Sequence, residues 1–97
     1  MNGLKFEWDD NKNISNQKKH GVSFDEAQTV FFDDLARLIP DPDHSADEER
    51  FILMGLSSTL KLLTVCHCER GKNTIRIISA RKADKFERKQ YDGDNYA

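Results

Sequence analysis

The sequence predicts an α+β fold: one small, mainly antiparallel sheet with helices packed on it, in the order βααββββα. Three observations predict it. Helix start and stop signals crowd into the stretch from Asp10 to Phe31. Short runs rich in branched apolar residues, divided by turn chemistry, fill most of the chain from Leu35 to Ala80. A length of 97 residues suits one modest core and is too short for two, so residues 1–97 read as a single domain with an ordered part of about 4–91.

Each element has its own warrant. Leu4 to Trp8 alternates apolar and polar residues, a short first strand. Asp10 to His20 lacks Pro and Gly and ends in Lys18, Lys19 and His20 before Gly21, the signature of a helix C-terminus. Ser23 with Glu26 forms a capping box, opening a second helix whose Phe24, Ala27, Val30 and Phe31 share one face. Leu35 to Ile39 is a second strand, stopped by Pro40 and the acidic loop Asp41 to Glu49. Arg50 to Leu56 is apolar on both alternating faces and reads as a central strand covered on both sides. Ser57, Ser58 and Thr59 turn it into a hairpin made of Leu62 to Cys68 and Ile75 to Ala80, joined through Gly71, Lys72 and Asn73. Asp84 to Tyr91 closes the chain as a short basic helix with Phe86 as its anchor.

Composition narrows the class. No apolar stretch approaches the length of a bilayer span, and the opening MNGLKFEWDD has neither the basic start nor the apolar run of a signal peptide, so a cytoplasmic protein is expected. Cys66 and Cys68 are i, i+2 neighbours on a strand, too far apart for good disulfide geometry, which fits a reducing compartment. The net charge of −2 conceals a division. Residues 1–49 hold 5 Lys and Arg against 12 Asp and Glu, a balance of −7, whereas residues 50–91 hold 10 against 3, a balance of +7. A polyanion meets the local field, so the cationic half can present a phosphate-binding face on an acidic protein.

The hairpin carries the chemistry. His67, Glu69, Arg70, Arg76, Ser79, Arg81 and Lys82 are threaded onto strands that otherwise read as core. RNA is cut without metal when its own 2′-OH attacks the adjacent phosphorus; the protein then aligns the attack, moves two protons and stabilises extra negative charge. His67 suits general acid or base work, and Glu69 could orient it or act as the base. Arg70, Arg76 and Arg81 can grip phosphate oxygens, and Tyr91 could stack on a base or donate a proton. Lys12, Lys19, Ser79, Lys82, Lys85 and Arg88 are candidate RNA contacts, although Lys12, Lys19 and His20 by themselves read as solvated residues of the first helix. Loop length decides the grouping. A three-residue loop puts His67, Glu69, Ser79 and Arg81 on one face; a two-residue loop joins His67 and Glu69 with Arg76, where a salt bridge from Arg76 to Glu69 competes with a catalytic role.

Metal sites are not expected. Cys66 and Cys68 would face away from His67 on alternating strand positions. The loop Asp41, Asp43, Ser45, Asp47 mimics a calcium loop, but Ala46 stands where glycine is needed and Ile52 where the bidentate glutamate belongs.

Five segments together carry a resemblance: FEWDDNK at Phe6 to Lys12, KKHGVSFDEAQTVF at Lys18 to Phe31, PDPDHSADEERF at Pro40 to Phe51, HCER at His67 to Arg70, and IRIISARKA at Ile75 to Ala83. In this order they resemble the BrnT family of bacterial type II toxins, over about Leu4 to Tyr91. The resemblance implies a RelE-like fold and a metal-independent ribonuclease activity that arrests translation. It also implies a BrnA-like antitoxin with a ribbon-helix-helix DNA-binding domain, through which alone the toxin would meet DNA. No cofactor and no membrane are implied. A catalytically silent binding module, holding a protein or nucleic acid on the same basic face, is the rival reading.

Overall fold

The computed structural model describes residues 3–41 and 49–96. Strand β1 (Lys5–Glu7) leads to helix α1 (Asp10–His20) and helix α2 (Phe24–Gln28), whose last turn tightens to a 3₁₀ helix over Thr29–Phe32. Strands β2 (Arg37–Pro40), β3 (Phe51–Leu56), β4 (Leu62–Glu69) and β5 (Thr74–Lys82) follow, and helix α3 (Lys85–Tyr96) ends the chain. The expected order βααββββα and the α+β class hold. One five-stranded sheet runs β1-β5-β4-β3-β2, antiparallel except where β1 lies parallel to β5.

Local chemistry accounts for the ends of the elements. The Asp9 carboxylate accepts from the Asn11 and Lys12 amides at the start of α1, and Gly21, at φ 70°, closes it with its N–H on the Gln17 carbonyl. Ser23 caps α2 as expected, accepting from the Glu26 amide at 3.1 Å. The Glu26 carboxylate does not complete a capping box. It accepts instead from the Ser57 and Thr59 hydroxyls and pins the β3–β4 turn. A reciprocal box does open α3, where Asp84 accepts from the Glu87 amide and Glu87 from the Asp84 amide.

Two expectations are corrected. The central strand is β4, buried at all but two of its eight residues; β3 lies second from the edge, since β2 is the last strand on that side. The anchor of α3 is Tyr91, 6% exposed, rather than Phe86, 70% exposed. Tyr91 donates to Asp33 at 2.8 Å and packs with Met54 and Leu62. A hydroxyl with a half-buried carboxylate partner on an aromatic ring offers α3 more than a bare phenyl does.

The main core lies between the sheet and α2 with its 3₁₀ turn, built from Val22, Phe24, Ala27, Val30, Phe31, Leu53, Leu63, Val65, Ile75, Ile77 and Ala80. Gly55 belongs here because a Cβ would meet Ala36 Cβ at 2.9 Å and Val30 Cγ1 at 3.0 Å, so only glycine lets this chain crossing close. β1 covers β5 only along Thr74 to Arg76. Further along, the Asn16 side chain of α1 takes the place of a neighbouring strand. Its amide donates to the Ala80 carbonyl at 2.7 Å and the Val22 carbonyl at 2.9 Å, and its oxygen accepts from the Ala80 N–H at 3.1 Å. This clamp fixes α1 beside β5.

Candidate active site

The β4–β5 hairpin has the three-residue loop, with the Arg70 N–H on the Thr74 carbonyl and Gly71 at φ 76°. A bulge then changes the phase. Glu69 pairs with Ile75, Cys68 with Arg76 and His67 with Ile77, but Cys66 pairs with Ser79 and Thr64 with Arg81, leaving Ile78 as the extra residue. One inserted residue moves everything beyond it to the opposite face. The expected set of His67, Glu69, Ser79 and Arg81 is therefore divided. His67 and Glu69 lie on the helix-covered face with Ile75, Ile77 and Ala80. Arg76, Ser79 and Arg81 lie on the other face with Thr64, Cys66 and Cys68.

His67 is 3% exposed, its ring set edge-on to Phe31 at 4.8 Å and tilted to Phe51 at 6.1 Å, with Nδ1 3.3 Å from the Val65 carbonyl. With Glu69 and Asp33 it lines a mostly apolar cavity of about 320 Å³ that also takes in Leu4, Leu38 and Ile75. Burial pushes the imidazole below its ordinary value, opposed by the Val65 carbonyl and the Glu69 charge. The folded state thus binds the proton less readily than the unfolded state. His67 contributes stability above the ordinary value of 6.5, and that contribution is lost as pH falls below it. The variant His67→Phe, which keeps a ring in the aromatic cage, is expected to flatten the fall in denaturant midpoint between pH 6.5 and 5. An unchanged slope would show that another group titrates there.

The opposite face carries the cationic groups. Arg50, Thr64, Cys66, Ile78, Ser79, Arg81 and Asp41 surround a depression of about 270 Å³. Ile78 and Ser79 also wall a second depression of about 310 Å³, whose other side is Lys12, Ser15, Asn16, Lys19 and His20 of α1. The two form one trough across the open face, with Ser79 at the join. Lys12 and Lys19 reach it because the Asn16 clamp lays α1 along β5.

Several partners tune this face. Arg81 is held by Glu87 in a bidentate pair at 2.7 and 2.8 Å. Burial raises the Glu87 carboxyl, but the hydrogen bonds from Arg81 and the Asp84 amide outweigh it, and the net shift is downward. Arg76 pairs with Glu7 of β1 at 2.8 Å, not with Glu69, because Glu7 is its neighbour in register on the same face. Burial and the Asp41 carboxylate push the Cys66 thiol up to about 11, so it stays protonated and is a poor nucleophile. Of the remaining expected residues, Arg70 is exposed just past β4, and Lys85 and Arg88 are exposed on α3. Lys82, opposite Leu63, faces the α2 side, where its charge acts on Glu26. Tyr91 is buried and committed to Asp33. Asn16 was absent from the expected site, and His20, expected as a solvated helix residue, is half-buried in the wall of the second depression; the phase break in the Ile77–Ile78 doublet is the signal that could have located the bulge.

A family model described as the ribonuclease toxin BrnT of type II toxin-antitoxin systems matches residues 8–87. The chain belongs to the BrnT family. It is thus a member of a family of ribonuclease toxins, and a type II system implies an antitoxin partner. The 1.1 Å crystal structure of the Brucella abortus ribonuclease toxin BrnT is similar at 26% identity, with a TM-score of 0.66 over 84% of this chain and 99% of that one. No curated protein matches the chain. The BrnT match covers both walls of the trough, from Lys12 to Arg81. Among the described residues no group of three or more His, Cys, Asp or Glu side chains is placed to hold a metal ion. His67 points away from Cys66 and Cys68, and Asp43, Ser45 and Asp47 of the calcium-like loop lie outside the described residues. No described helix is long and apolar enough to cross a membrane.

Proposed function

We propose that this BrnT chain is an endoribonuclease that cuts RNA without a divalent metal, by attack of the 2′-hydroxyl on the adjacent phosphorus, along the open-face trough. The observation that carries this reading is the convergence of Arg50, Arg81, Lys12 and Lys19 on one trough with Ser79 at its centre. Positive charge fixed before the substrate arrives stabilises the developing dianion, and the arginines and lysines of the trough, with Asp41 as the opposing charge, can supply the charge a metal would otherwise bring. Arg81 is the phosphate clamp, since Glu87 holds its guanidinium in one orientation; Arg76 and Arg70 extend the positive field toward the hairpin end. Ser79, Lys12 and Lys19 bind the RNA backbone, with Lys85 and Arg88 on α3 beyond them. Burial leaves His67 and Tyr91 as supports of the fold in this reading, and Glu69, though exposed, lies on the opposite face from the trough.

Inhibition follows from the same field. A BrnA-like antitoxin bearing acidic and apolar residues over the Arg70 to Lys89 surface would exclude RNA by both sterics and charge, and its DNA-binding domain would be the only link to DNA. The setting is the cytoplasm, where RNA substrate and antitoxin meet.

The test is cleavage of a short RNA by the purified toxin in EDTA. Cleavage is expected to persist and to leave 2′,3′-cyclic phosphate and 5′-hydroxyl ends. Loss of cleavage in EDTA with recovery on adding zinc or magnesium would overturn the mechanism.

A further inference from the structure

We infer that His20, at the C-terminal end of α1, is the proton acceptor of the cleavage reaction. The inference rests on the ribonuclease reading of the trough and adds a catalytic group to it. The trough holds fixed cations in abundance, but cleavage also needs a group that takes a proton. The carboxylates near it are engaged: Glu87 is held by Arg81 and the Asp84 amide, and Asp41 accepts from the Cys66 thiol at 3.5 Å. Of the described histidines, His67 is shut behind β4 on the far face, whereas His20 lies half-buried in the wall of the trough with Lys12, Lys19 and Ser79. An imidazole can take up and release a proton near neutral pH, which an ammonium or guanidinium cannot.

The placement has a structural cause. Gly21 ends α1 in a left-handed turn immediately after His20, and Asn16 one turn earlier is bound to Ala80. His20 therefore sits on a helix end held at both sides, beside the strand that carries Ser79 and Arg81. In the reaction, a ring nitrogen of His20 takes the proton of the 2′-hydroxyl as the 2′-oxygen bonds to phosphorus. The P–O5′ bond breaks with its electron pair on O5′, which takes a proton from solvent, and the imidazolium then gives its proton to water. The phosphate charge meanwhile lies against Arg81 and the two lysines.

The experiment compares wild type with His20→Ala and His20→Gln, each shown to be folded by thermal melting. Cleavage is read as kcat and KM from pH 5 to 8, and binding is read on an RNA with a 2′-deoxy residue at the scissile position. Both variants are expected to lose about 10²- to 10⁴-fold in kcat, the usual worth of a positioned proton-transfer group. Binding of the deoxy analogue should change less than about threefold, and the acidic limb of the wild-type pH profile should vanish. Near-normal kcat in both variants, alongside an inactive Arg81→Ala, would overturn the role of His20 and leave the ribonuclease face standing. A reduced kcat with the acidic limb intact would also overturn it, as the mark of a structural effect. Full activity in His20→Ala and Arg81→Ala together would instead bring down the reading of the trough.

Discussion

Replacing Arg81 by alanine is expected to lower RNA cleavage about 10²- to 10³-fold, the loss seen when one preorganised donor to a developing anion is removed. Arg81 earns this expectation by its support. Both terminal nitrogens are held by Glu87, whose carboxylate is anchored in turn by the Asp84 amide. The guanidinium therefore reaches the trough with little conformational freedom left to lose. The fold should survive the substitution, because the pair is partly exposed, with Arg81 41% accessible, and such pairs contribute at most about 1 kcal/mol. A gel assay of cleavage rate with a parallel melting curve separates the effects. Wild-type cleavage by a folded Arg81→Ala protein would remove this face from the reaction.

The largest effect on stability is expected at Asn16. Asn16→Ala deletes three hydrogen bonds at once and leaves the Ala80 N–H, the Ala80 carbonyl and the Val22 carbonyl without their partner, at a site where Asn16 is 7% exposed. Each unmet buried backbone group costs about 1 to 3 kcal/mol, and partial rescue by water brings the expected total to about 3 to 4 kcal/mol. That is a large share of the roughly 5 to 15 kcal/mol available to a small domain. At about 4 to 8 °C per kcal/mol for a chain of this size, the melting temperature should fall by more than about 12 °C. Cleavage should fall as well at temperatures where the variant remains folded, since Lys12, Lys19 and His20 are placed by this clamp. A shift of only a few degrees would mean that the edge of β5 finds other partners with ease.

What could be read from the chain was whatever local chemistry decides. Gly21 after a lysine-rich helix end, Ser23 before Phe24, the turn residues Gly71 to Asn73 and the branched runs around them each act within a few residues, and the structure has an element at each. The five family segments worked in the same way: they are local strings in a fixed order. Grouping was harder. Whether His67 shares a face with Arg81 depends on a single uncompensated residue, and the sequence stretch that holds it, Ile75 to Arg81, looks like an unbroken strand until its alternation is followed across Ile77 and Ile78.

The amino-acid sequence by itself determined the α+β class, the order of elements, the cationic C-terminal half and membership of a ribonuclease toxin family, because propensity, capping, charge and motif order are properties of short segments. Only the tertiary structure decided that β4 is the central strand, that Tyr91 and His67 are buried, and that α1 lies against β5 to bring Lys12, Lys19 and His20 beside Ser79. Those facts arise from competition between distant segments for the same sheet edge and the same core. The β5 backbone groups beyond β1 needed a hydrogen-bonding partner, and the partner they found was the side chain of Asn16, 64 residues away.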